Sequence, residues 1–165
     1  MRNLVLFAAV SLLIAGAATK FADRFDVAPI VAPDAAAGTP ARADTVVVPG
    51  DRGGHFTVNV SIGGRSLAFL VDTGASTVVL KRDDARQLGI NLNDREYVVP
   101  VQTANGVTYA ARVRLRNLKV GPISVNNVEA LVAKPGTLKE NLLGMSFLSR
   151  LRSYEFSGEF LTLRS

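Results

Sequence analysis

Two kinds of hydrophobic pattern divide the chain. From Thr45 onward apolar and polar residues follow the two-residue period of β-strands, interrupted by glycine-rich turns; before it no such period holds. Thr45 to Val48 reads as a short strand, stopped by Pro49-Gly50-Asp51-Arg52-Gly53-Gly54. Phe56, Val58, Val60 and Ile62 then alternate with Thr57, Asn59 and Ser61, as in a half-buried strand opened by His55. Gly63-Gly64 closes a hairpin onto Leu67 through Val71, which is apolar on both faces like a central strand. Lys81 to Gly89 predicts a short helix, with Asp83 or Asp84 capping its start and Gly89 its end. Glu96–Thr103 and Val107–Val120 flank Ala104-Asn105-Gly106, and Asn-Gly is a strong hairpin signal. Gly121-Pro122 ends that arm, and Val125 to Ala133 supplies another strand. Leu142-Leu143-Gly144 leads into a short helix with Phe147, Leu148 and Leu151 on one side. Two last strands, Tyr154–Phe156 and Phe160–Leu163, surround Ser157-Gly158-Glu159. The expectation is one mainly β domain over 45–165, with one or two short helices.

The N-terminal residues follow other rules. Arg2 precedes an uncharged apolar run, Leu4 to Ala18, ended by Lys20. A bilayer span wants about 20 residues, and a cleaved signal core is shorter than this run. Residues 1–20 are therefore expected to be a transmembrane anchor, or a signal peptide cut near Ala15-Gly16-Ala17. Either outcome exports the rest of the chain: membrane-anchored with the domain on the periplasmic side if bacterial, or secreted there if residues 1–18 are removed. Residues 21–44 are rich in Ala and Pro without apolar period, the composition of an extended tether.

Composition removes several chemistries. The 165 residues, 48% hydrophobic, suffice for one core after a targeting segment is set aside. There is no cysteine, so disulfides, zinc thiolates and cysteine nucleophiles are excluded. The single histidine, His55, cannot build a multi-histidine metal site, and no metal or cofactor is expected. The net charge of +5 is scattered. Its densest cluster, Arg112, Arg114 and Arg116, alternates along a strand without interleaved aromatics, which suits a solvated face better than nucleic acid.

The chemistry concentrates in Phe69-Leu70-Val71-Asp72-Thr73-Gly74-Ala75-Ser76-Thr77-Val78-Val79-Leu80. An acid between two apolar strands is costly to desolvate, so it needs partners or a task. Glycine two residues on permits a tight turn, and Thr73 and Ser76 offer hydroxyls. A lone Asp-Thr-Gly also suits an ordinary β-turn. With its flanking strands, this stretch resembles the active-site loop of aspartic proteases, and the Asp-Thr-Gly-Ala form is most similar to the retroviral type. The resemblance extends over 45–165. Gly54-His55-Phe56, Asp84-Ala85 to Leu88-Gly89-Ile90, Thr103-Ala104-Asn105-Gly106 and Leu142-Leu143-Gly144-Met145-Ser146-Phe147-Leu148 stand where bacterial, single-domain, membrane-anchored retropepsin-like proteases carry comparable residues.

That resemblance implies a closed β-barrel-like half with one active-site acid per chain. Asp72 would be catalytic, in a loop with Thr73, Gly74, Ala75 and Ser76. Thr103, Ala104, Asn105 and Gly106 would form a flap over the substrate, and Leu142, Leu143 and Gly144 would pack behind the loop. The chemistry needs two carboxylates facing one water, and the chain has a single Asp-Thr-Gly. The second must come from another subunit, so a C2 homodimer is expected, with the terminal strands as candidates for a shared sheet. The substrate implied is an extended polypeptide with apolar residues flanking the cut.

Three other readings compete. A membrane-anchored, non-catalytic peptide-binding module could keep the fold with Asp72 as a structural acid. A serine hydrolase at Ser76 would want a second glycine that Gly74-Ala75-Ser76-Thr77-Val78 lacks. A glycosidase would draw two carboxylates from one chain and work as a monomer.

Overall fold

The computed structural model describes residues 44–103 and 106–165. The expected anchor or signal (1–20) and, Asp44 apart, the tether (21–44) lie outside the described residues, as do Ala104 and Asn105. Ten strands, two short α-helices and one 3-10 turn follow in chain order. They are β1 (Thr45–Pro49), β2 (Thr57–Ile62), β3 (Arg65–Val71), β4 (Val78–Leu80), α1 (Arg82–Gln87), a 3-10 turn (Asp94–Glu96), β5 (Val99–Thr103) and β6 (Gly106–Val120), then β7 (Ile123–Ala133), β8 (Asn141–Leu143), α2 (Met145–Leu148), β9 (Ser153–Ser157) and β10 (Phe160–Arg164). The mainly β class with few short helices is as expected.

A seven-stranded sheet runs β2-β3-β8-β4-β7-β6-β5, and β2 also pairs with β6. That extra pairing, Val60 with Val120 and Ile62 with Leu118, closes six strands into a barrel and leaves β5 hanging from β6. Closure removes the open edges that strands otherwise expose. Inside lie Phe69, Phe147, Leu80, Leu118, Ile123, Leu143 and Leu148, all fully buried. Each large side chain so buried contributes roughly 1.5–3 kcal/mol.

The first hairpin follows its turn residues. Ile62 pairs with Arg65, leaving Gly63 and Gly64 as the loop. Their φ angles of 59° and 83° are the left-handed values a two-residue hairpin turn requires. His55 lies before β2 instead of opening it; the turn there is held by Asp51 Oδ1, which accepts from the N–H groups of Gly53 (2.8 Å) and His55 (2.9 Å).

The β6–β7 ribbon turns over part-way along. Leu115 and Leu118 are both buried although three apart, and so are Val125 and Val128 directly opposite them. Residues three apart on a strand point to opposite faces, so both strands exchange inner and outer faces at one place. Asn127 lies there with φ 54°, the one non-glycine with positive φ among the described residues, and asparagine tolerates that conformation best.

Three further sequence expectations need correction. The N-cap of α1 is Lys81, with no side-chain cap; Asp83 and Asp84 both sit inside the first turn. Asp84 is turned inward, where Asn141 Nδ2 donates to it at 2.7 Å and Lys81 Nζ stands 3.2 Å away. A buried carboxylate needs such partners more than the helix needs a cap. The first flap arm begins at Val99, not Glu96, because Glu96 is consumed in a capping box with Asn93. Finally, Thr103 pairs with Gly106, which makes Gly106 the first residue of β6 and not a turn centre. The predicted end of α1 holds, since Leu88 is its C-cap and Gly89 follows with φ 79°.

The terminal strands form a separate three-stranded sheet, β1-β10-β9, within the one chain. Val48, Leu161 and Leu163 face the core, whereas Val47 and Phe160 are exposed on the outer side. Arg112, Arg114 and Arg116 are all exposed, and Arg112 pairs with Glu129 across the ribbon. Among the described residues no helix is long and apolar enough to cross a membrane.

Candidate active site

Central strand β3 delivers Asp72 just beyond its end. β3 lies between β2 and β8, and its last residue pairs with Leu143. The Asp72 N–H donates to the Leu143 carbonyl (3.2 Å), and the Ala75 N–H donates back to the Asp72 carbonyl (3.3 Å), which closes the turn. Gly74 N–H donates to Asp72 Oδ1 at 2.8 Å and orients the carboxylate. Gly74 does not have positive φ; a Cβ there would stand 3.2 Å from Asp72 Oδ1. This glycine therefore clears room beside the acid, a different task from bending the chain.

The loop is fixed from behind by the start of α2. Met145 N–H donates to the Ala75 carbonyl at 2.8 Å. A Cβ on Gly144 would come within 2.6 Å of that same oxygen and closer still to the Thr77 carbonyl, so only glycine fits. Ser146 completes the attachment. Its Oγ accepts from the Val78 N–H (2.9 Å) and donates to the Glu129 carbonyl (2.7 Å), splicing the downstream end of the loop to β7.

In front of the loop opens a cleft of about 390 Å³. Asp72, Gly74, Ala75 and Ser76 line one side; Val101 and Thr103 of β5 with Thr108, Tyr109 and Ala110 of β6 form the other. Val79, Leu131, Ala133, Leu138 and Leu142 make the apolar remainder. Asp72 is the one charged side chain among the described residues that line it. It is half-buried, while Thr73, Gly74 and Ser76 are exposed. Such an acid has the features of a reacting group: held by a backbone donor, flanked by apolar surface, and open on one side.

The predicted residues divide accordingly. Asp72, Gly74, Ala75, Ser76, Thr103 and Leu142 meet in the cleft. Thr73 faces outward beside it, and Leu143 and Gly144 lie behind the loop. Gly106 pairs with Thr103, whose Oγ1 donates to its carbonyl at 2.8 Å; Ala104 and Asn105 fall outside the described residues. The apolar lining of Val79, Leu131, Ala133 and Leu138 was not foreseen, nor was Ser146. Ser76 has no histidine in the cleft to activate it: His55 is absent from the lining and stands beside Asp51, its Nδ1 3.5 Å from Oδ1. Among the described residues no three His, Asp or Glu side chains gather as a metal would need.

Comparison with known proteins agrees with this geometry. The family model for gag-polyprotein putative aspartyl protease matches residues 58–150, more than half the chain. An uncharacterized protein in the cobV 5′ region of a Sinorhizobium species is 41% identical over 111 residues, covering 67% of this chain and 48% of that protein. An uncharacterized protein of Rickettsia prowazekii (strain Madrid E) is 34% identical over 118 residues, covering 72% and 50%. The chain thus spans about half the length of these relatives. Among solved structures, a retropepsin-like aspartic protease from Rickettsia conorii superposes with TM-score 0.68 at 32% identity, covering 74% of this chain and 91% of that one. EIAV protease, complexed with the inhibitor HBY-793, shares the fold at TM-score 0.50 and 22% identity, covering 61% and 91%. With its closed barrel, its Asp-Thr-Gly loop and these relatives, the chain belongs to the retropepsin-like aspartic protease family.

Proposed function

We propose that the protein is an aspartic endopeptidase that acts as a homodimer, with Asp72 from each chain sharing one attacking water. The observation that carries this reading is that Asp72 is the one carboxylate among the described residues that line the cleft, beside a loop whose Thr73 and Gly74 remain exposed. One acid can hold or deprotonate a water; it cannot also protonate the substrate carbonyl. A second Asp72 across a two-fold axis supplies that role, and the exposed Thr73 hydroxyls are available to hydrogen-bond across it.

Two carboxyl groups in reach of each other do not both ionise cheaply, so the pair shares a proton. The ionised member takes a proton from water as it attacks the scissile carbonyl. The protonated member donates to the carbonyl oxygen, and a proton then passes to the leaving nitrogen. The substrate is an extended polypeptide laid between the loop and the β5–β6 hairpin. Closure of that hairpin, the flap with Thr103, Ala104, Asn105 and Gly106 at its tip, shuts bulk solvent out and leaves the one attacking water between the acids. No cofactor takes part.

Residues 1–20 serve in this reading as membrane anchor or signal, residues 21–44 as the tether, and the domain works on the exported side. Anchoring to one surface raises the effective concentration of subunits and favours pairing. The test uses the full chain with a peptide library. The wild type should cleave and sediment as a dimer, and Asp72→Asn should dimerise without cleaving. Cleavage retained by Asp72→Asn would refute the assignment. Peptide binding without cleavage by the wild type would favour the non-catalytic module of the same fold.

A further inference from the structure

Just outside the cleft, the sheet face that lines it turns basic. Leu131 of β7 pairs with Val79 of β4 on one side and with Arg112 of β6 on the other. Directly paired residues share a face, so Val79, Leu131 and Arg112 stand in one row across three strands. Val79 and Leu131 line the cleft, and Arg112 is the next position outward. The same continuity holds along β6. Thr108 and Ala110 line the cleft, and alternation places Arg112 and Arg114 on their face just past it. Arg116 follows where the ribbon turns over. β7 offers one acid here, Glu129, which lies opposite Arg114 in register but forms its ion pair with Arg112. Arg114 and Arg116 are exposed and have no ion pair or side-chain hydrogen bond among the described residues. Arg112, Arg114 and Glu129 border an open groove of about 300 Å³.

We infer that Arg112 and Arg114 form an exit subsite, which takes an acidic stretch of the substrate polypeptide some residues away from the cut. This inference rests on the proteolytic reading. An extended polypeptide that leaves the cleft past Thr108 and Ala110 continues over these arginines. Alternate residues of a strand stand about 6.6–6.8 Å apart, both on β6 and in an extended substrate. Acids at every second substrate position therefore meet the two guanidinium groups in register. A planar guanidinium also grips a carboxylate with two parallel hydrogen bonds, which an ammonium group does not offer. Any basic surface attracts an anionic membrane, but the period of two and the continuity with the cleft favour a polypeptide strand.

The test gives the full chain peptides that share one cleaved sequence and carry Glu-Ala-Glu or Gln-Ala-Gln in a window stepped away from the cut on either side. At one window or more, wild type should prefer the acidic peptide by about fivefold in kcat/KM, through KM. That preference should fade as salt is raised. Arg114→Gln should bring the ratio of acidic to neutral peptide to about twofold or less. Arg114→Glu should reverse it and favour Lys-Ala-Lys, an inversion that mere damage to the fold does not produce. Lys119→Gln removes the same charge from β6 beyond the turnover, and should leave the ratio as in wild type. A wild type indifferent to charge at every window, or a ratio lowered as much by Lys119→Gln as by Arg114→Gln, would overturn the inference while leaving proteolysis intact. So would an indifferent wild type whose binding to phosphatidylserine vesicles is weakened by Arg114→Gln alone, which would give these arginines to a membrane. Absence of any Asp72-dependent cleavage would overturn the proteolytic reading, and this inference with it.

Discussion

The Asp72 loop and the β5–β6 hairpin face each other across one cleft and are built on opposite terms. The loop is held by Gly74, Met145 and Ser146 through short hydrogen bonds, and Gly144 is packed directly against its carbonyls. The hairpin beyond Ala110 has one partner strand only, and Val107 and Tyr109 are exposed on it. The acid-bearing side is over-determined and the covering side is underdetermined. Chemistry that depends on placing a carboxylate within fractions of an ångström needs the first, and admission of a long chain needs the second.

Substitutions should separate the two sides by size of effect. Gly144→Ala forces a Cβ into the Ala75 and Thr77 carbonyls, which belong to backbone that cannot swing aside. A loss above about 4 kcal/mol is expected, enough to abolish the cooperative melt of a marginally stable domain. A normal melting temperature for this variant would break the contrast. Ser146→Ala strands the Val78 N–H and the Glu129 carbonyl, at about 1–3 kcal/mol by denaturant unfolding. Its kcat should fall with KM little changed, because the loop and not the binding surface is displaced; Ser146→Thr, which keeps the hydroxyl, should restore part of both.

On the flap side, Tyr109→Ala should leave stability within about 0.5 kcal/mol, since its ring is half exposed and its stacking partner is the cation of Lys134. Its effect belongs in KM, measured on extended peptides. The smallest effect is expected outside the cleft lining, at Asp51. Its carboxyl is held below the usual carboxylate range, first by the His55 N–H and then by that of Gly53. A lowered folded-state value stabilises the turn above the unfolded range and is lost as pH falls through the folded one. Asp51→Asn should therefore lower neutral stability slightly and flatten the acid limb of the stability profile, leaving stability at low pH nearly unchanged.

The same contrast explains what was legible in the sequence. Alternation located most strands, and Gly63-Gly64 and Gly89 carried their backbone conformations openly. The Asp72 loop and its Gly144 support could be read because the two short motifs, each unspecific alone, stand in the order that the family resemblance implies. Asp84 could not, since its capping and buried roles differ only through Asn141, a partner remote in the chain. Glu96 looked like strand because its capping box with Asn93 outcompetes a weak β tendency. The ribbon's turnover was missed: simple alternation passes over the three-residue spacings Leu115–Leu118 and Val125–Val128, which only the paired register shows to be a change of face. The cleft alanines, Ala110 and Ala133, were hidden for another reason: the core face and the cleft face of these strands are both apolar, so periodicity cannot say which one opens to the cleft.

Mixing subunits tests the central claim most directly. Full-length wild type and Asp72→Asn are combined at constant total concentration, allowed to exchange, and assayed for peptide cleavage as the wild-type fraction is lowered. If each active site needs one Asp72 from each of two chains, mixed pairs are inactive and activity falls as the square of that fraction. A linear fall would mean that a single chain carries a complete site, and would contradict the account.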